Sequence, residues 1–316
     1  MAVHHITAIA GDPQRNLDFY AGTLGLRLVK LTVNFDDPAT YHFYYGDELG
    51  RPGSLLTFFP WPGGRRGRQG TGQAGTVALA IPSASLGFWI ERLLSHNIRY
   101  NGPARRFNEQ VLSLTDPDGL LLELVATPRA AGVPPWGEGP VAPDHAIRGL
   151  HGTTLWEDGD TGTADFLVGT LGFEAAGEEG NLVRFQSSGS GVGTVVHLRR
   201  APGFWRGADG VGTVHHVAFR AATDQAQLSQ RAEIEAKGIG TTPVIDRQYF
   251  RSVYFREPGG VLFESATEAP GFTIDEPAAE LGTRLMLPPV YEARRQEIED
   301  ALPVVRLPQS AMRQEK

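Results

Sequence analysis

The chain contains an internal duplication, and this feature limits its possible folds more than any other. Residues 19–26 (FYAGTLGL) return 147 positions later as FLVGTLGF, and residues 117–126 (PDGLLLELVA) return 141 positions later as PGGVLFESAT. A shorter repeat, 137 positions apart, joins TVALA at 76–80 to TVHHV at 213–217. Three repeats in the same order predict that the chain consists of two related halves.

The halves predicted by these repeats are residues 1–140 and 146–270, and residues 271–316 form a C-terminal extension with a helix. Each half divides again, because a β-like segment is followed by a helix-like segment and then by apolar strands between Gly, Pro and Asp turns. The β-like segments that begin the four units are residues 3–9, 76–81, 150–156 and 214–220. The predicted fold class is α+β, with four βαβββ modules whose curled mixed sheets enclose a metal cleft.

The composition restricts the chemistry of any functional site. The chain has no cysteine, which excludes thiolate catalysis, iron–sulfur clusters and cysteine-based zinc sites. A metal ion would therefore be held by histidine, carboxylate or main-chain oxygen. The formal net charge of -7 argues against nucleic acid as a partner. Because neither a signal peptide nor a membrane span is recognisable, we expect a cytoplasmic protein with no membrane partner.

Two pairs of adjacent histidines, His4-His5 and His215-His216, stand near the beginning of units. Successive side chains of a strand point to opposite faces, so one member of each pair can face the cleft. Glu264 lies in an apolar strand, where a carboxylate without a partner is costly. Two histidines and one carboxylate form the facial triad of non-haem Fe(II) enzymes, so these residues predict a metal site.

The strand pattern leaves the third ligand open. His216 and Glu264 both belong to the fourth unit. The third ligand is either His5 or His151, depending on whether the first or the third unit packs against the fourth. A single histidine in an apolar strand is usually a core residue, and it is the repeated pairs together with the embedded glutamate that favour a metal.

Other features of the chain are given structural interpretations. The repeats match Glu123 of the first half to Glu264 of the second. They align Leu79 with His216, so Glu123 lacks the histidine that accompanies Glu264. Glu123 is therefore interpreted as a structural remnant paired with a buried donor or water. Residues 63–72 lack the ending of a phosphate-binding loop and predict a mobile basic loop near the cleft mouth. Residues 289–301 predict a surface helix that covers either the cleft or an oligomer interface. Four histidines have no patterned partner and are assigned no function: His42, His96, His145 and His197.

Six segments carry a resemblance to a known family. They are HHIT at 4–7, residues 19–25, GTVHHVAF at 212–219, VIDRQYFR at 244–251, YFREPGGVLFE at 254–264 and LMLPPVY at 285–291. With these segments the chain resembles the vicinal oxygen chelate superfamily of glyoxalases, bleomycin-resistance proteins and extradiol dioxygenases. Within the superfamily, it is similar to the ring-cleaving dioxygenases that include the hydroquinone 1,2-dioxygenases. The resemblance covers nearly the whole chain and is most specific over residues 246–264.

The resemblance implies which residues form the site. In this group the iron is bound by a histidine of the first unit and by a histidine and a glutamate of the fourth, which correspond here to His5, His216 and Glu264. The family positions that surround the ligands or contact the substrate correspond to His4, Thr7, His215, Arg247 and Tyr254. His151 is the rival ligand, which the arrangement of ordinary catechol-cleaving enzymes favours.

The implied activity is that of an extradiol-type ring-cleaving dioxygenase, an oxidoreductase that opens a hydroquinone or catechol-like diol with O2. Fe(II) is the expected cofactor, with Mn(II) as the alternative metal. The expected partners are the aromatic diol, O2 and, if the helix at 289–301 forms an interface, a second copy of the chain. His215 and Tyr254 are expected to move protons or to hydrogen-bond bound oxygen, and Arg247 is expected to stabilise negative charge.

Two other functions are compatible with such a fold. A glyoxalase-like lyase or isomerase would use four protein ligands, with a carboxylate from the last strand of each contributing unit. The last strand of the first unit, SLLTFF at 54–59, supplies no carboxylate, which ranks this alternative lower. A metal-free small-molecule binding or resistance protein is the second alternative.

Overall fold

Four βαβββ modules follow one another along the chain, as the sequence repeats predict. The computed structural model describes residues 1–159, 161–189 and 191–307. The first module consists of β1 (Val3–Ala10), α1 (Pro13–Leu17), a π-helix (Asp18–Thr23), β2 (Arg27–Asn34), β3 (Asp37–Gly46) and β4 (Leu55–Pro60). The second consists of β5 (Gln73–Ile81), α2 (Leu86–Ser95), β6 (Tyr100–Arg106), β7 (Glu109–Thr115) and β8 (Leu121–Ala126).

The second half of the chain repeats this order. The third module consists of β9 (Leu150–Glu157), α3 (Thr161–Gly169), β10 (Glu174–Glu179), β11 (Leu182–Gln186) and β12 (Val195–Arg200). The fourth consists of β13 (Thr213–Ala221), α4 (Asp224–Ala236), β14 (Ile245–Asp246), β15 (Arg251–Arg256) and β16 (Leu262–Thr267). A last helix, α5 (Arg295–Ala301), lies in the C-terminal extension. The predicted α+β fold with four modules is confirmed.

The strands form two curled, mixed sheets of eight strands each. The strand order is β14-β15-β16-β13-β1-β4-β3-β2 in the first sheet and β10-β11-β12-β9-β5-β8-β7-β6 in the second. The two modules of each sheet meet through an antiparallel strand pair, β1 with β13 and β5 with β9. Each sheet therefore combines one module from each half of the chain: the first module with the fourth, and the second with the third.

The strands at these junctions are apolar because both of their faces are covered. Every residue of β1 and of β5 is buried. The amphipathic helix α2 adds Trp89 and Leu93, which lie one turn apart on its buried face, to the main hydrophobic core. The main core thus packs against strands of both junctions, and the candidate site lies at the junction of β1 with β13.

Two long connections cross between the sheets and pair with each other. Residues 63–72 lie between β4 and β5, and residues 201–212 lie between β12 and β13. Isolated bridges join Arg66 to Val211, Arg68 to Ala208 and Thr71 to Arg206. A Cβ on Gly70 would overlap the carbonyl oxygen of Trp205, so this close approach requires glycine. The expectation of a mobile loop at 63–72 was wrong, because backbone pairing holds the segment in place.

The C-terminal extension lies across β2. The backbone N–H of Met286 donates to the carbonyl of Leu31 at 2.9 Å. The predicted helix at 289–301 is present as a 3-10 helix, Pro289–Arg294, followed by α5. The Tyr291 hydroxyl donates to the carbonyl of Phe35 at 2.7 Å, which holds this segment against the turn between β2 and β3. Among the described helices, none is long and apolar enough to cross a bilayer.

Candidate metal centre

Three buried side chains from three neighbouring strands converge on one point in the first sheet. His5 lies on β1, His216 on β13 and Glu264 on β16. His5 Nε2 lies 3.2 Å from His216 Nε2 and 3.3 Å from Glu264 Oε2, and His216 Nε2 lies 2.9 Å from the same carboxylate oxygen. Among the described residues, these three form the group of histidine and acidic side chains whose geometry can hold a metal ion.

The strand register explains why these residues meet. Ala218 on β13 lies beside His5 on one side and beside Glu264 on the other. His216 precedes Ala218 by two positions and therefore points to the same face of the sheet. The pairing of the first module with the fourth thus brings together three residues that are far apart in sequence.

The protonation states of these groups suit metal binding. Burial lowers the pKa of His216 to about 4, so its imidazole is neutral at physiological pH. Burial acts to raise the pKa of Glu264, but the attraction of the His5 and His216 imidazoles holds that pKa well below its usual range. Glu264 Oε1 accepts a hydrogen bond from Ser252 at 2.6 Å, whereas Oε2 is buried without a hydrogen-bond partner. An ionised oxygen left without a partner between two imidazole nitrogens fits a divalent cation.

Each of these histidines is held by the histidine that precedes it. His4 Nδ1 lies 2.9 Å from His5 Nδ1, and His215 Nδ1 lies 2.8 Å from His216 Nδ1. Burial lowers the pKa of His4 to about 3 and also lowers the pKa of His215, so neither neighbour is protonated at neutral pH. A neutral neighbour can accept the Nδ1–H of His5 or His216, which directs Nε2 of that ring to the centre.

A cavity of about 320 Å³ opens beside the three converging residues. Ten of its 16 lining residues carry an aromatic ring, and four of these ten are histidines. The other six are Phe35, Tyr44, Phe59, Trp61, Phe250 and Tyr254. His5 and His216 reach the cavity directly, together with His215 and Arg247. This combination of an apolar pocket and a few convergent polar groups is typical of a small-molecule site.

Tyr254 and Arg247 lie on the same wall of the cavity. The Tyr254 ring lies edge-on to His216, with ring centroids 5.5 Å apart. Burial and the charge of Glu264 raise the pKa of Tyr254, so its phenol stays protonated. The Arg247 guanidinium lies over the Tyr254 ring at 5.6 Å and forms two hydrogen bonds, of 3.1 and 2.9 Å, with the carboxylate of Asp36.

A hydrogen-bonded chain leads from Thr7 to a histidine to which the sequence assigns no function. Thr7 Oγ1 lies 2.8 Å from Thr57 Oγ1, which lies 3.0 Å from His42 Nε2. His42 lines the cavity, and burial lowers its pKa well below the usual range. His42 has no counterpart in the repeats, so only the folding of β3 beside β4 reveals its position.

Comparisons with known proteins agree with this architecture. The family model of the glyoxalase/bleomycin resistance protein/dioxygenase superfamily matches residues 2–124. "Putative ring-cleaving dioxygenase MhqO" of Bacillus subtilis is 49% identical over 302 residues, which cover 96% of each chain. The "chlorohydroquinone/hydroquinone 1,2-dioxygenase" of Sphingobium indicum is 34% identical over 306 residues, 94% of each chain. A crystal structure of a "putative dioxygenase" from Bacillus subtilis superposes with a TM-score of 0.94 at 48% identity and covers 98% of both chains.

The chain belongs to the glyoxalase/bleomycin resistance/dioxygenase superfamily. The resemblance seen in the sequence is thereby confirmed over almost the whole chain, because the most similar of these relatives aligns over 96% of it. The duplicated modules and the two curled sheets are the architecture expected of this superfamily.

The internal symmetry of the superfamily fold shows where a fourth protein ligand would stand. Thr7 lies beside Thr57 in the β1–β4 pair as Ala218 lies beside Glu264 in the β13–β16 pair. Thr57 is therefore the counterpart of Glu264 in the first module. Because Thr57 offers a hydroxyl instead of a carboxylate, the four-ligand arrangement that a glyoxalase-like site requires is not built here.

The second sheet contains the corresponding region without its histidines. Ala78 lies beside Gly152 and beside Glu123, as Ala218 lies beside His5 and Glu264. Thr76, two positions before Ala78, is thus the counterpart of His216. The alignment of Leu79 with His216 was therefore wrong. The matching sequence segments are 137 positions apart, whereas the strand pairings place equivalent residues of β5 and β13 140 positions apart.

Glu123 and His151 have other partners in this second sheet. Arg106 forms a two-pronged ion pair with Glu123, which agrees with the interpretation of Glu123 as a structural remnant. His151 Nε2 lies 3.1 Å from each carboxylate oxygen of Glu109, which also binds Arg184 at 2.6 Å. The structure therefore does not bring His151, the rival ligand, together with His216 and Glu264.

Proposed function

We propose that this chain is an Fe(II)-dependent, extradiol-type dioxygenase that opens the ring of a hydroquinone or a related aromatic diol with O2. The observation that carries the proposal is the convergence of His5, His216 and Glu264 beside a cavity with aromatic walls. Names of two relatives support it, since one is named a "chlorohydroquinone/hydroquinone 1,2-dioxygenase" and the other a "putative ring-cleaving dioxygenase".

His5, His216 and Glu264 would hold the metal, with Mn(II) as an alternative to Fe(II). Two imidazoles and one carboxylate on one side of an ion leave other coordination positions for substrate and oxygen. When bound, Fe(II) supplies the one-electron chemistry through which O2 reacts with an aromatic ring. The protein donors cancel one of the two positive charges of the ion, which favours an ionised hydroxyl of the substrate.

The cavity suits a single aromatic ring. Its volume of about 320 Å³ is at the small end of the usual range for ligand pockets. Phe59 and Phe250 present apolar surface to the ring, and Tyr254 adds an aromatic face with a polar end. These walls exclude water from the reacting atoms and hold the ring beside His5 and His216.

Two residues are proposed to donate hydrogen bonds to the reacting oxygen atoms. The neutral imidazole of His215 lines the cavity, and because its Nδ1 accepts from His216, its Nε2 carries the proton and can donate to an ionised oxygen of the substrate. Tyr254 keeps its phenolic proton and can donate a hydrogen bond to an oxygen atom bound near His216. Arg247 would stabilise negative charge that develops in the same region.

Two further residues are proposed to act on the site by positioning others. His4 contacts the ring of His5 through Nδ1 and so maintains its orientation. Thr7 is linked through Thr57 to His42, which lines the cavity. Neither role requires direct contact with the substrate.

The proposal is tested by anaerobic loading with Fe(II), followed by oxygen uptake with hydroquinones and catechols. We expect one O2 consumed per diol opened. His5→Ala should lose metal binding and uptake, because two donors remain. His151→Ala is the matched control, a buried strand histidine of the second sheet, and should keep its metal. No uptake with any diol at full iron occupancy would contradict the proposal, as would loss of metal from the His151 variant alone.

A further inference from the structure

We propose that Asp36 is a specificity-determining residue that occupies Arg247 and thereby excludes aromatic diols carrying a carboxylate. This inference rests on the proposed function, in which the cavity binds an aromatic diol. It concerns the charge of the ring substituents, which the metal ligands themselves do not select.

The permanently charged groups of the cavity wall cancel each other. Among the described residues that line the cavity, Asp36 provides the carboxylate and Arg247 the guanidinium. A substituent projecting away from the metal therefore meets apolar side chains and a guanidinium that already has a partner.

The ion pair has the geometry of a specific contact. The two nitrogens of the Arg247 fork lie 3.1 and 2.9 Å from the two oxygens of Asp36. The side chain of Arg247 is 16% exposed, whereas that of Asp36 is 72% exposed. The guanidinium is thus the more buried partner, and Asp36 supplies its counter-charge.

Backbone contacts fix both partners. The N–H of Asp36 donates to Asn34 Oδ1 at 3.0 Å, within the turn between β2 and β3. The N–H of Arg247 donates to the carbonyl of Phe250 at 2.9 Å, in the connection between β14 and β15. The first and fourth modules therefore each contribute one partner, and the pair exists only because these modules share a sheet.

The pair also stands at a boundary of the cavity. Phe35, Asp36, Ile245 and Arg247 line both the cavity and an outer groove of about 980 Å³. A carboxylate on a bound ring would have to displace Asp36 from the guanidinium or remain without a counter-charge in an apolar pocket, and both are unfavourable. A methyl group or a halogen meets no such competition.

Binding of a matched pair of ligands tests the inference. The probes are (2,5-dihydroxyphenyl)acetate and its neutral amide, which differ in charge but hardly in shape. Their dissociation constants are measured by anaerobic titration calorimetry on the full-length protein loaded with Fe(II). We expect the wild-type protein to bind the amide about tenfold more tightly than the carboxylate, which corresponds to the loss of one charge-assisted hydrogen bond.

Asp36→Asn should remove most of this preference or reverse it, because it frees Arg247 while keeping the size of the side chain. Asp224→Asn is the matched control, since Asp224 is an exposed aspartate that pairs with Arg251 on the outer groove, and it should keep the wild-type ratio. A wild-type protein that binds both probes equally, or an Asp36→Asn variant that keeps the wild-type ratio, would overturn this inference alone. Failure of the wild-type protein to bind any diol would overturn the proposed function as well.

Discussion

In both adjacent histidine pairs, the two rings approach each other through their Nδ1 atoms. This arrangement leaves Nε2 of His5 and of His216 directed at the same carboxylate oxygen of Glu264. The ring orientation is therefore determined by short contacts within the chain itself, and these contacts bring the three donor atoms close together.

A buried carboxyl group outside this site has a strongly altered ionisation. Burial raises the pKa of Glu157, at the end of β9, to about 8, and the neighbouring Glu257 adds to the effect while Arg206 opposes it. In the unfolded chain such a group ionises near its usual value of about 4.3. The folded protein therefore holds a proton that the unfolded chain has lost between these two values, so this contribution to stability falls as the pH rises through that window.

Glu157→Gln should remove this pH dependence, because the amide resembles the protonated acid and cannot ionise. Between pH 5 and pH 9 we expect the wild-type protein to lose about 2 kcal/mol more unfolding free energy than the variant, after allowance for solvent screening. Urea unfolding at pH 5, 7 and 9 measures this difference. Glu233→Gln, a change of an exposed glutamate of α4, serves as the control and should follow the wild-type curve. Parallel curves for wild type and Glu157→Gln would disprove the assignment.

At the residue scale, pattern was enough for some positions and not for others. The adjacent histidines and the glutamate in an apolar strand are visible in the sequence, because each stands out from its surroundings and recurs in the repeats. Asp36 and His42 are ordinary polar residues of a hairpin. They come to line the cavity only when β3 folds beside β4 and the fourth module lies beside the first.

Among the elements, the C-terminal extension is connected to the site by one buried ion cluster. Lys30 on β2 is fully buried, and its Nζ lies 2.6 Å from Asp275 and also pairs with Glu276. Asp275 accepts further hydrogen bonds from the Tyr249 hydroxyl at 3.0 Å and from Gln248 Nε2 at 2.8 Å. The extension thus holds the same connection that carries Arg247.

Lys30→Ala should destabilise the protein by about 3–5 kcal/mol, because it leaves buried carboxylates without their cation. Lys237→Ala is the control, since Lys237 is an exposed lysine at the end of α4, and we expect a change within about 0.5 kcal/mol. Chemical denaturation of both variants at pH 7 provides the comparison. Equal, small effects of the two substitutions would show that the cluster does not anchor the extension.

The elements themselves were largely predictable from periodicity. The expected strands at 150–156 and 214–220 are β9 and β13, each within two residues of its bounds. The ordered backbone of the connection at 63–72 could not be predicted from periodicity, because it pairs with a segment about 140 residues away. Glycine-rich composition alone does not distinguish a mobile loop from one in tight backbone contact.

For the molecule as a whole, each sheet combines one module from each half of the chain. This arrangement determines whether either half can fold by itself. Strands β1 and β5 of the first half have their antiparallel partners, β13 and β9, in the second half. Two of the three candidate metal ligands also lie in the second half. Neither half contains a complete sheet.

Residues 1–140 expressed alone should therefore not form a monomeric, cooperatively folded, metal-binding unit, because the open edges of β1 and β5 promote association. Size-exclusion chromatography, thermal unfolding and metal analysis of the fragment check this expectation. Co-expression with residues 141–316 should restore metal binding. A fragment that is monomeric and unfolds cooperatively would contradict it.

The duplication predicted the modules but could not predict how they pair. Pairing the first module with the fourth or the third with the fourth satisfies the same repeats, because the modules resemble one another. The family resemblance implied His5, whereas the strand pattern alone left His5 and His151 equivalent. The order of strands in the folded sheets distinguishes them, since β1 lies beside β13 and β9 lies beside β5.

Gly152 occupies the position in the second sheet that corresponds to His5 in the first. It limits which substitutions the second sheet can accept. A Cβ on Gly152 would overlap the carbonyl oxygen of Val195 on the adjacent strand. Side-chain replacements alone therefore cannot build a second His–His–Glu group in this sheet, because the backbone of β9 or β12 would have to move first. We therefore expect variants selected for new chemistry to carry their changes in the cavity beside His5, and not in the second sheet.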